Sequence, residues 1–343
     1  MTFAEKLSNL HFRQNDQTIS VEDAGFSSIK KSLNERICDS KDFSAKRRNE
    51  SENARDYAVD SMKEIPPTSS YEAGEKIKKH LEEKLPYYGF NPDFKYQGSV
   101  ICNTHIKYHS DIDLLVLTDR FVTVEKKDDS FVAYKGNVIE DMQALRNACY
   151  VILEDVYSVT TIDNDGDKSI KIKKGGDLKC DIDVVPANWF DSVKYKKYGS
   201  DFLRGVQVFN KTTSERTKNF PFLNKKLIGD KDKLCNGNYR ALVRLAKNLK
   251  VDADSSSLIK KISSYDIQSI FFNTEDTDIK NLNKTDLVNY GCKYLLRLLA
   301  NTETFRSIKV PDETRLVSEK VTFDMLKSLY DEFDELNNKI IGL

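Results

Sequence analysis

Two segments of this chain each place a pair of aspartates, spaced one residue apart, directly before a short apolar run. Asp111-Ile112-Asp113 precedes Leu114–Leu117, and Asp181-Ile182-Asp183 precedes Val184–Pro186. Short continuous apolar runs are typical of strands that are buried on both faces of a sheet. Because side chains alternate along a strand, the two carboxylates of each pair point to the same face. The sequence therefore predicts a sheet whose buried strands carry acidic side chains at their starts.

These acidic pairs favour a metal site. Two neighbouring carboxylates repel each other and are costly to bury unless a cation neutralises them. Mg²⁺ prefers oxygen ligands and often bridges carboxylates to substrate phosphates. We expect Asp111 and Asp113 to bind two Mg²⁺ ions together with a third acid, and Mn²⁺ can substitute for Mg²⁺. The residues leave two candidates for that third acid, Asp183 and Asp181.

The rest of the chain predicts an α+β (mixed α/β) protein. Helical spacing or capping marks 68–85 and 138–153, and Asn164–Asp167 is typical of a hairpin turn. From about Lys211 onward the pattern predicts helices alone. The clearest helical segments there are Asn238–Leu249, Tyr265–Asn273, Lys284–Leu299 and Thr322–Asn338.

Composition excludes several classes of function. The 343 residues contain 54 Lys plus Arg and 54 Asp plus Glu, so the basic excess of a long nucleic-acid binder is absent. No apolar stretch approaches the length of a membrane span, and the scattered cysteines favour a reducing cytoplasm. The lysines Lys171, Lys173 and Lys174 are expected to be solvated, with electrostatic steering of a triphosphate as the alternative.

The acids and the turn before them resemble a known signature. Gln97-Gly98-Ser99 followed by Asp111-Ile112-Asp113 resembles the start of polymerase-β-type nucleotidyltransferases, which implies that Gln97, Gly98 and Ser99 contact the nucleotide. Asp183–Ala187 is similar to the third-acid strand of oligoadenylate synthases, and this similarity favours Asp183 over Asp181. The resemblance implies a two-lobed core with a central mixed β-sheet and a C-terminal helical lobe. The break at Pro66-Pro67 and the change to helices near Lys211 place the boundaries at 1–65 (N-terminal helical segment), 66–210 (nucleotidyltransferase core) and 211–343 (helical lobe).

Two segments of the helical half extend the resemblance. Leu242–Lys247 is similar to the helix of oligoadenylate and cyclic GMP–AMP synthases whose lysine contacts the triphosphate. Ser264–Phe272 is similar to a cyclic GMP–AMP synthase segment in which a serine binds phosphate and the next tyrosine stacks on a base. The resemblance thus implies that Lys247 and Ser264 bind phosphate and that Tyr265 stacks on the base. Taken alone, the residue types favour a solvated helix face for Lys247 and a core position for Tyr265, whereas their place downstream of the three acids favours the nucleotide contacts.

The chain most resembles the bacterial cyclic-GMP–AMP-synthase-like nucleotidyltransferases, or CD-NTases, since it lacks the zinc-binding insertion of the animal enzymes. The resemblance implies condensation of nucleoside triphosphates (ATP, with GTP or a pyrimidine nucleotide as further candidates) into a cyclic di- or trinucleotide second messenger, with release of pyrophosphate. It further implies anti-phage (CBASS-type) signalling with an operon-encoded regulator and a cyclic-nucleotide-activated effector. Two alternatives stay open: a linear nucleotidyltransferase acting on RNA, a small molecule or a protein, and a catalytically silent nucleotide-binding module.

Overall fold

The chain forms two compact units in a computed structural model. One unit comprises the described parts of Met1–Ile65, Thr104–His109 and Ile228–Leu343, and the other those of Pro66–Asn103 and Ser110–Leu227. The structure describes residues 1–14, 49–107, 111–127, 131–157, 162–175 and 178–342. Within these ranges no helix combines the length and the apolar character that crossing a membrane requires.

The unit that carries the aspartates is built on a mixed sheet of seven described strands. The strands are β1 Asp93–Gln97, β2 Ile112–Val124, β3 Ile162–Asp163, β4 Ile170–Ile172, β5 Ile182–Asp191, β6 Gly205–Asn210 and β7 Glu215–Asn219. Their order is β1-β2-β5-β4-β3, and β6 pairs with both β5 and β7. The central β2–β5 pair is parallel and every other pair is antiparallel.

Both faces of the central strands are covered, which explains their continuous apolar runs. Leu114 and Val184 face a large core formed with the helices Thr68–Lys84 and Val138–Val156, while Leu115 packs into a second cluster on the opposite face. Strand alternation places the aspartates on the Leu115 face, away from the two helices. The predicted acid-bearing strands are confirmed.

The second unit is helical. The helices among the described residues of both units are α1 Phe3–Gln14, α2 Glu50–Ser61, α3 Thr68–Lys84, α4 Gly98–Ile101, α5 Val138–Val156, α6 Val193–Tyr198, α7 Pro221–Leu234, α8 Asn238–Asp252, α9 Ser264–Phe272, α10 Asp276–Ile279, α11 Lys284–Ala300, α12 Thr302–Ser307 and α13 Phe323–Ile341. Short 3₁₀ segments are Leu85–Tyr88, Asp201–Leu203, Leu258–Lys261 and Val317–Glu319. Helix α8 is buried along most of its length, and Tyr57 donates to its last residue, Asp252, at 2.8 Å.

The predicted mixed α/β class with a helical C-terminal part is confirmed, and so is the hairpin around Asn164–Asp167. The expectation of helices from Lys211 onward is wrong for its first part, because β7 lies at Glu215–Asn219. This strand pairs only with β6, so it is an edge strand and is largely exposed. An exposed edge strand lacks the apolar alternation from which a strand is recognised.

Candidate active site

Four side-chain positions form one row across the sheet. In the strand register Gln97 lies opposite Asp113, Asp113 opposite Asp183, and Asp183 opposite Lys171. Residues directly opposite on neighbouring strands have Cβ atoms about 5 Å apart and point to the same face. An amide, two carboxylates and an ammonium group therefore stand side by side on one face of four adjacent strands.

Asp111 joins this row from just before β2. The Lys171 Nζ donates to Asp111 Oδ2 at 2.6 Å and lies 4.0 Å from Asp183 Oδ1. The Lys171 side chain is 34% exposed, and it is directed at the acids. The expectation that Lys171 is simply solvated is therefore wrong.

The turn before the acids is shaped around Asp113. Gly98, the first residue of α4, has φ +85°, and a Cβ built there would lie 2.1 Å from Asp113 Oδ2. Only glycine adopts this conformation freely and leaves room for the carboxylate. The Gln97 Oε1 accepts from Asn219 Nδ2 at 3.2 Å, and Ser99 is half-buried in the first turn of α4.

The electrostatics of the row favour a bound cation. Burial, together with the charges of Asp183 and Asp111, raises the pKa of Asp113 to about 7. Burial also raises the pKa of Asp183, against the lowering effect of the Lys171 charge. Burial lowers the pKa of Lys171, but the carboxylates around it outweigh burial and raise that pKa overall. The charged forms of these acids are thus disfavoured, and a bound cation would stabilise them.

The donor set suits a magnesium ion. Asp111, Asp113 and Asp183 offer only carboxylate oxygens, the ligands that Mg²⁺ prefers. The Asp181 Oδ1 accepts from the backbone N–H of Lys174 at 2.8 Å, which supports Asp183 as the third acid. Among the described residues, no three His, Cys, Asp or Glu side chains are already grouped as metal ligands. A metal ion that binds Asp111 Oδ2 would compete with the Lys171 ammonium for that oxygen.

Lys247 lies in the helical unit and is not on a solvated helix face. Its side chain is buried, and its Nζ donates to the Thr104 carbonyl oxygen at 2.9 Å within that unit. The alternative of a solvated lysine is thereby excluded. Contact with a triphosphate would require this ammonium group to change its partner or to accommodate the phosphate beside the Thr104 carbonyl.

Ser264 and Tyr265 begin α9 in the same helical unit. Ser264 is exposed in the first turn, and Ser263 caps the helix by accepting from the backbone N–H of Asp266 at 3.0 Å. Tyr265 is half-buried rather than in the core, and its hydroxyl donates to Asp312 Oδ1 at 3.3 Å. Within a single unit, the structure brings together the three acids, Gln97, Gly98 and Ser99.

Two further residues, Ser169 and Lys171, have contacts with the acids that the sequence does not predict. The Ser169 hydroxyl donates to Asp183 Oδ1 at 3.3 Å, and Lys171 follows two residues later on β4. Both are positioned by the hairpin turn, because Arg146 Nη2 donates to the carbonyl oxygens of Gly166 and Ser169 at 2.8 and 2.9 Å. The sequence does predict the hairpin turn that positions these two residues. It does not predict the register of β4 against β5, which brings them to the acids.

Comparisons with known proteins agree with this architecture. A family model described as the cGAS/DncV-like nucleotidyltransferase C-terminal helical domain matches residues 226–334. The chain is 34% identical over 257 residues to a cyclic dinucleotide synthase CdnE of Yersinia aleksiciae, covering 73% of this chain and 66% of that relative. It is 28% identical over 317 residues to a c-di-GMP synthase of Flavobacteriaceae sp. genome_bin_11, covering 84% of each.

A solved structure matches the whole described architecture. The STING-associated CdnE c-di-GMP synthase from Capnocytophaga granulosa superposes with a TM-score of 0.75 and 27% identity. The match covers 99% of each chain. The sheet, the acid-bearing strands and the helical part therefore belong to one shared fold.

Proposed function

Because the chain belongs to the cGAS/DncV-like nucleotidyltransferases of bacteria (CD-NTases), we propose that it condenses two nucleoside triphosphates into a cyclic dinucleotide. Mg²⁺ is the proposed cofactor. The observation that carries the proposal is the acidic row on the sheet, with Asp113 beside Asp183 and the Gly98 turn fitted to the Asp113 carboxylate. Adjacent buried acids that raise each other's pKa values do not stabilise a sheet, and such perturbed groups are typical of functional sites.

Each residue of the row has a specific task in this proposal. Asp111, Asp113 and Asp183 would hold the ions, which supply positive charge to the triphosphate and lower the pKa of the attacking hydroxyl. Gln97 fixes the turn through its bond to Asn219, and Ser99 offers its hydroxyl to phosphate oxygens. Ser264, Tyr265 and Lys247 are the further nucleotide contacts that we propose from the helical unit.

The chemistry is nucleotidyl transfer carried out twice. A ribose hydroxyl oxygen of one nucleotide bonds to the α-phosphorus of the other, and the bond from that phosphorus to pyrophosphate breaks. The hydroxyl proton is released, and in the linear dinucleotide that results the attacking nucleotide keeps its triphosphate while the other nucleotide keeps its free ribose hydroxyls. A second transfer between these two groups closes the ring and releases a second pyrophosphate.

The relatives suggest which base to test first. Two of the relatives are named c-di-GMP synthases. One is 28% identical with 84% of each chain covered, and the other is 27% identical with 99% of each chain covered. We therefore propose GTP as the substrate and c-di-GMP as the product. A cytoplasmic location, an operon-encoded regulator and a cyclic-nucleotide-activated effector stay predictions of the same proposal.

The test is an incubation of the purified chain with Mg²⁺ and each nucleoside triphosphate, singly and in pairs. Products are treated with phosphatase and identified by mass spectrometry. We expect GTP alone to give a phosphatase-resistant product with the mass of c-di-GMP. The Asp111→Ala, Asp113→Ala double variant should give none, whereas Asp119→Ala, an exposed aspartate on the same strand, should match the unmodified protein.

The other outcomes separate the alternatives. A product that phosphatase degrades would identify a linear transferase. A phosphatase-resistant product that contains another base would change the proposed substrate and leave the proposed cyclic dinucleotide synthesis intact. If no pyrophosphate is released with Mg²⁺ or Mn²⁺, even when likely activators are added, the proposal is wrong and the silent nucleotide-binding module is favoured.

A further inference from the structure

We propose that Lys171 is an intrinsic counter-ion of the acidic row, which competes with divalent cations for Asp111 and so weakens their binding. This inference rests on the proposed function, since it assumes that Asp111, Asp113 and Asp183 bind metal. It goes beyond that function by assigning to Lys171 control over how much metal the enzyme needs. Lys171 acts through the carboxylates, so it is a positioning residue.

The position of Lys171 is set by the backbone. It lies directly opposite Asp183 in the β4–β5 register, and its Nζ is 2.6 Å from Asp111 Oδ2. The turn that precedes it is held by Arg146, which is almost fully buried and binds the carbonyl oxygen of Ser169. The lysine therefore reaches the acids from an anchored strand, and only its four-carbon stem needs to move.

Lys171 and a divalent ion compete for the same oxygen. The lone pair of Asp111 Oδ2 that accepts the Lys171 hydrogen bond cannot also bind a metal ion. The ammonium carries one charge, whereas three ionised acids carry three. Lys171 therefore lowers the repulsion within the row and leaves a net negative site for cations to enter.

The consequence is a threshold for metal binding. With Lys171 in place the acids are held together and partly neutralised without metal. A divalent ion that takes Asp111 Oδ2 must break this ion pair, and an ion bound to another oxygen of the row is repelled by the nearby ammonium charge. In either case the apparent affinity is weaker than the three carboxylates alone would give. Removal of the ammonium should strengthen metal binding and weaken the metal-free fold.

The experiment measures Mn²⁺ binding to the full chain by titration calorimetry, with no nucleotide present. A partly exposed ion pair of this kind contributes up to about 1 kcal/mol, so Lys171→Met should bind Mn²⁺ about three- to fivefold more tightly. Lys171→Arg, which keeps the charge, should remain within about twofold of the unmodified protein. Lys173→Met is the matched control, since Lys173 pairs at 3.9 Å with Asp163 and not with the acids.

A second readout detects the role of Lys171 without metal. In EDTA, Lys171→Met should melt at a lower temperature than Lys173→Met, and added Mn²⁺ should raise its melting temperature more than that of the unmodified protein. Equal or weaker Mn²⁺ affinity in Lys171→Met would overturn the counter-ion role while leaving the proposed function intact. If neither the unmodified protein nor any variant binds Mn²⁺ without nucleotide, the counter-ion inference is wrong, while the proposed function is judged separately by pyrophosphate release.

Discussion

Replacement of Gly98 by alanine tests the fit between the turn and the acids. The added methyl carbon would lie 2.1 Å from Asp113 Oδ2, well inside any allowed contact. The backbone at Gly98 has φ +85°, a conformation that alanine adopts only with strain. Gly98→Ala therefore changes both the local backbone energy and the position of one proposed metal ligand.

The two effects have different magnitudes and different readouts. The left-handed backbone costs an alanine about 1–2 kcal/mol, which should appear as lost stability. The Asp113 carboxylate must also retreat by about 1 Å, and a displacement of that size in a reacting arrangement can lower the rate about 100-fold. We therefore expect kcat/KM for pyrophosphate release to fall about 100-fold, with only a modest loss of stability.

Gly199→Ala is the control that separates the effect of backbone strain from that of the steric clash with Asp113. Gly199 has φ +66°, and no atom lies within 4 Å of its would-be Cβ, so it carries the backbone cost alone. Both variants should lose similar stability in denaturant unfolding, while only Gly98→Ala loses most of its activity. If the two variants retain equal activity, Asp113 is not held by the Gly98 turn for catalysis, and the reasoning fails.

Two substitutions in the acidic row give further predictions. Asp113→Asn should abolish turnover yet stabilise the metal-free fold, because the folded-state pKa of about 7 lies above the reference value of 3.8. The gain, on the order of 4 kcal/mol, should be absent below about pH 3.8, grow as the pH rises and be complete above about pH 7, as unfolding at several pH values would show. Asp183→Asn should reduce pyrophosphate release far more than Asp181→Asn, and the reverse order would make Asp181 the third ligand.

Much of the fold follows from local patterns in the sequence. The apolar runs after Asp111–Asp113 and Asp181–Asp183 predict the buried strands because period and burial are properties of a few consecutive residues. The amphipathic helix predicted over Asn238–Leu249 for the same reason is present and extends to Asp252. The strand Glu215–Asn219 is missed, since a charged edge strand has no apolar pattern to read.

The candidate site is only partly predictable, because register is a property of pairs of strands. The sequence indicates that Asp111 and Asp113 share a face, but it contains nothing that sets Lys171 opposite Asp183. The amino-acid sequence alone does not distinguish a solvated lysine from a lysine that is paired with buried acids. Burial of Lys247 is likewise decided by the packing around helix α8 and by its bond to Thr104, which lies far away in sequence.

The central claim is that three acids from two parallel strands hold divalent cations. Anomalous diffraction from crystals grown with Mn²⁺ and a non-hydrolysable GTP analogue measures this directly. The account predicts Mn²⁺ peaks bonded to Asp111, Asp113 and Asp183, with the Lys171 ammonium moved away from Asp111. Mn²⁺ bound elsewhere, or an analogue bound with these three carboxylates free of metal, would contradict it.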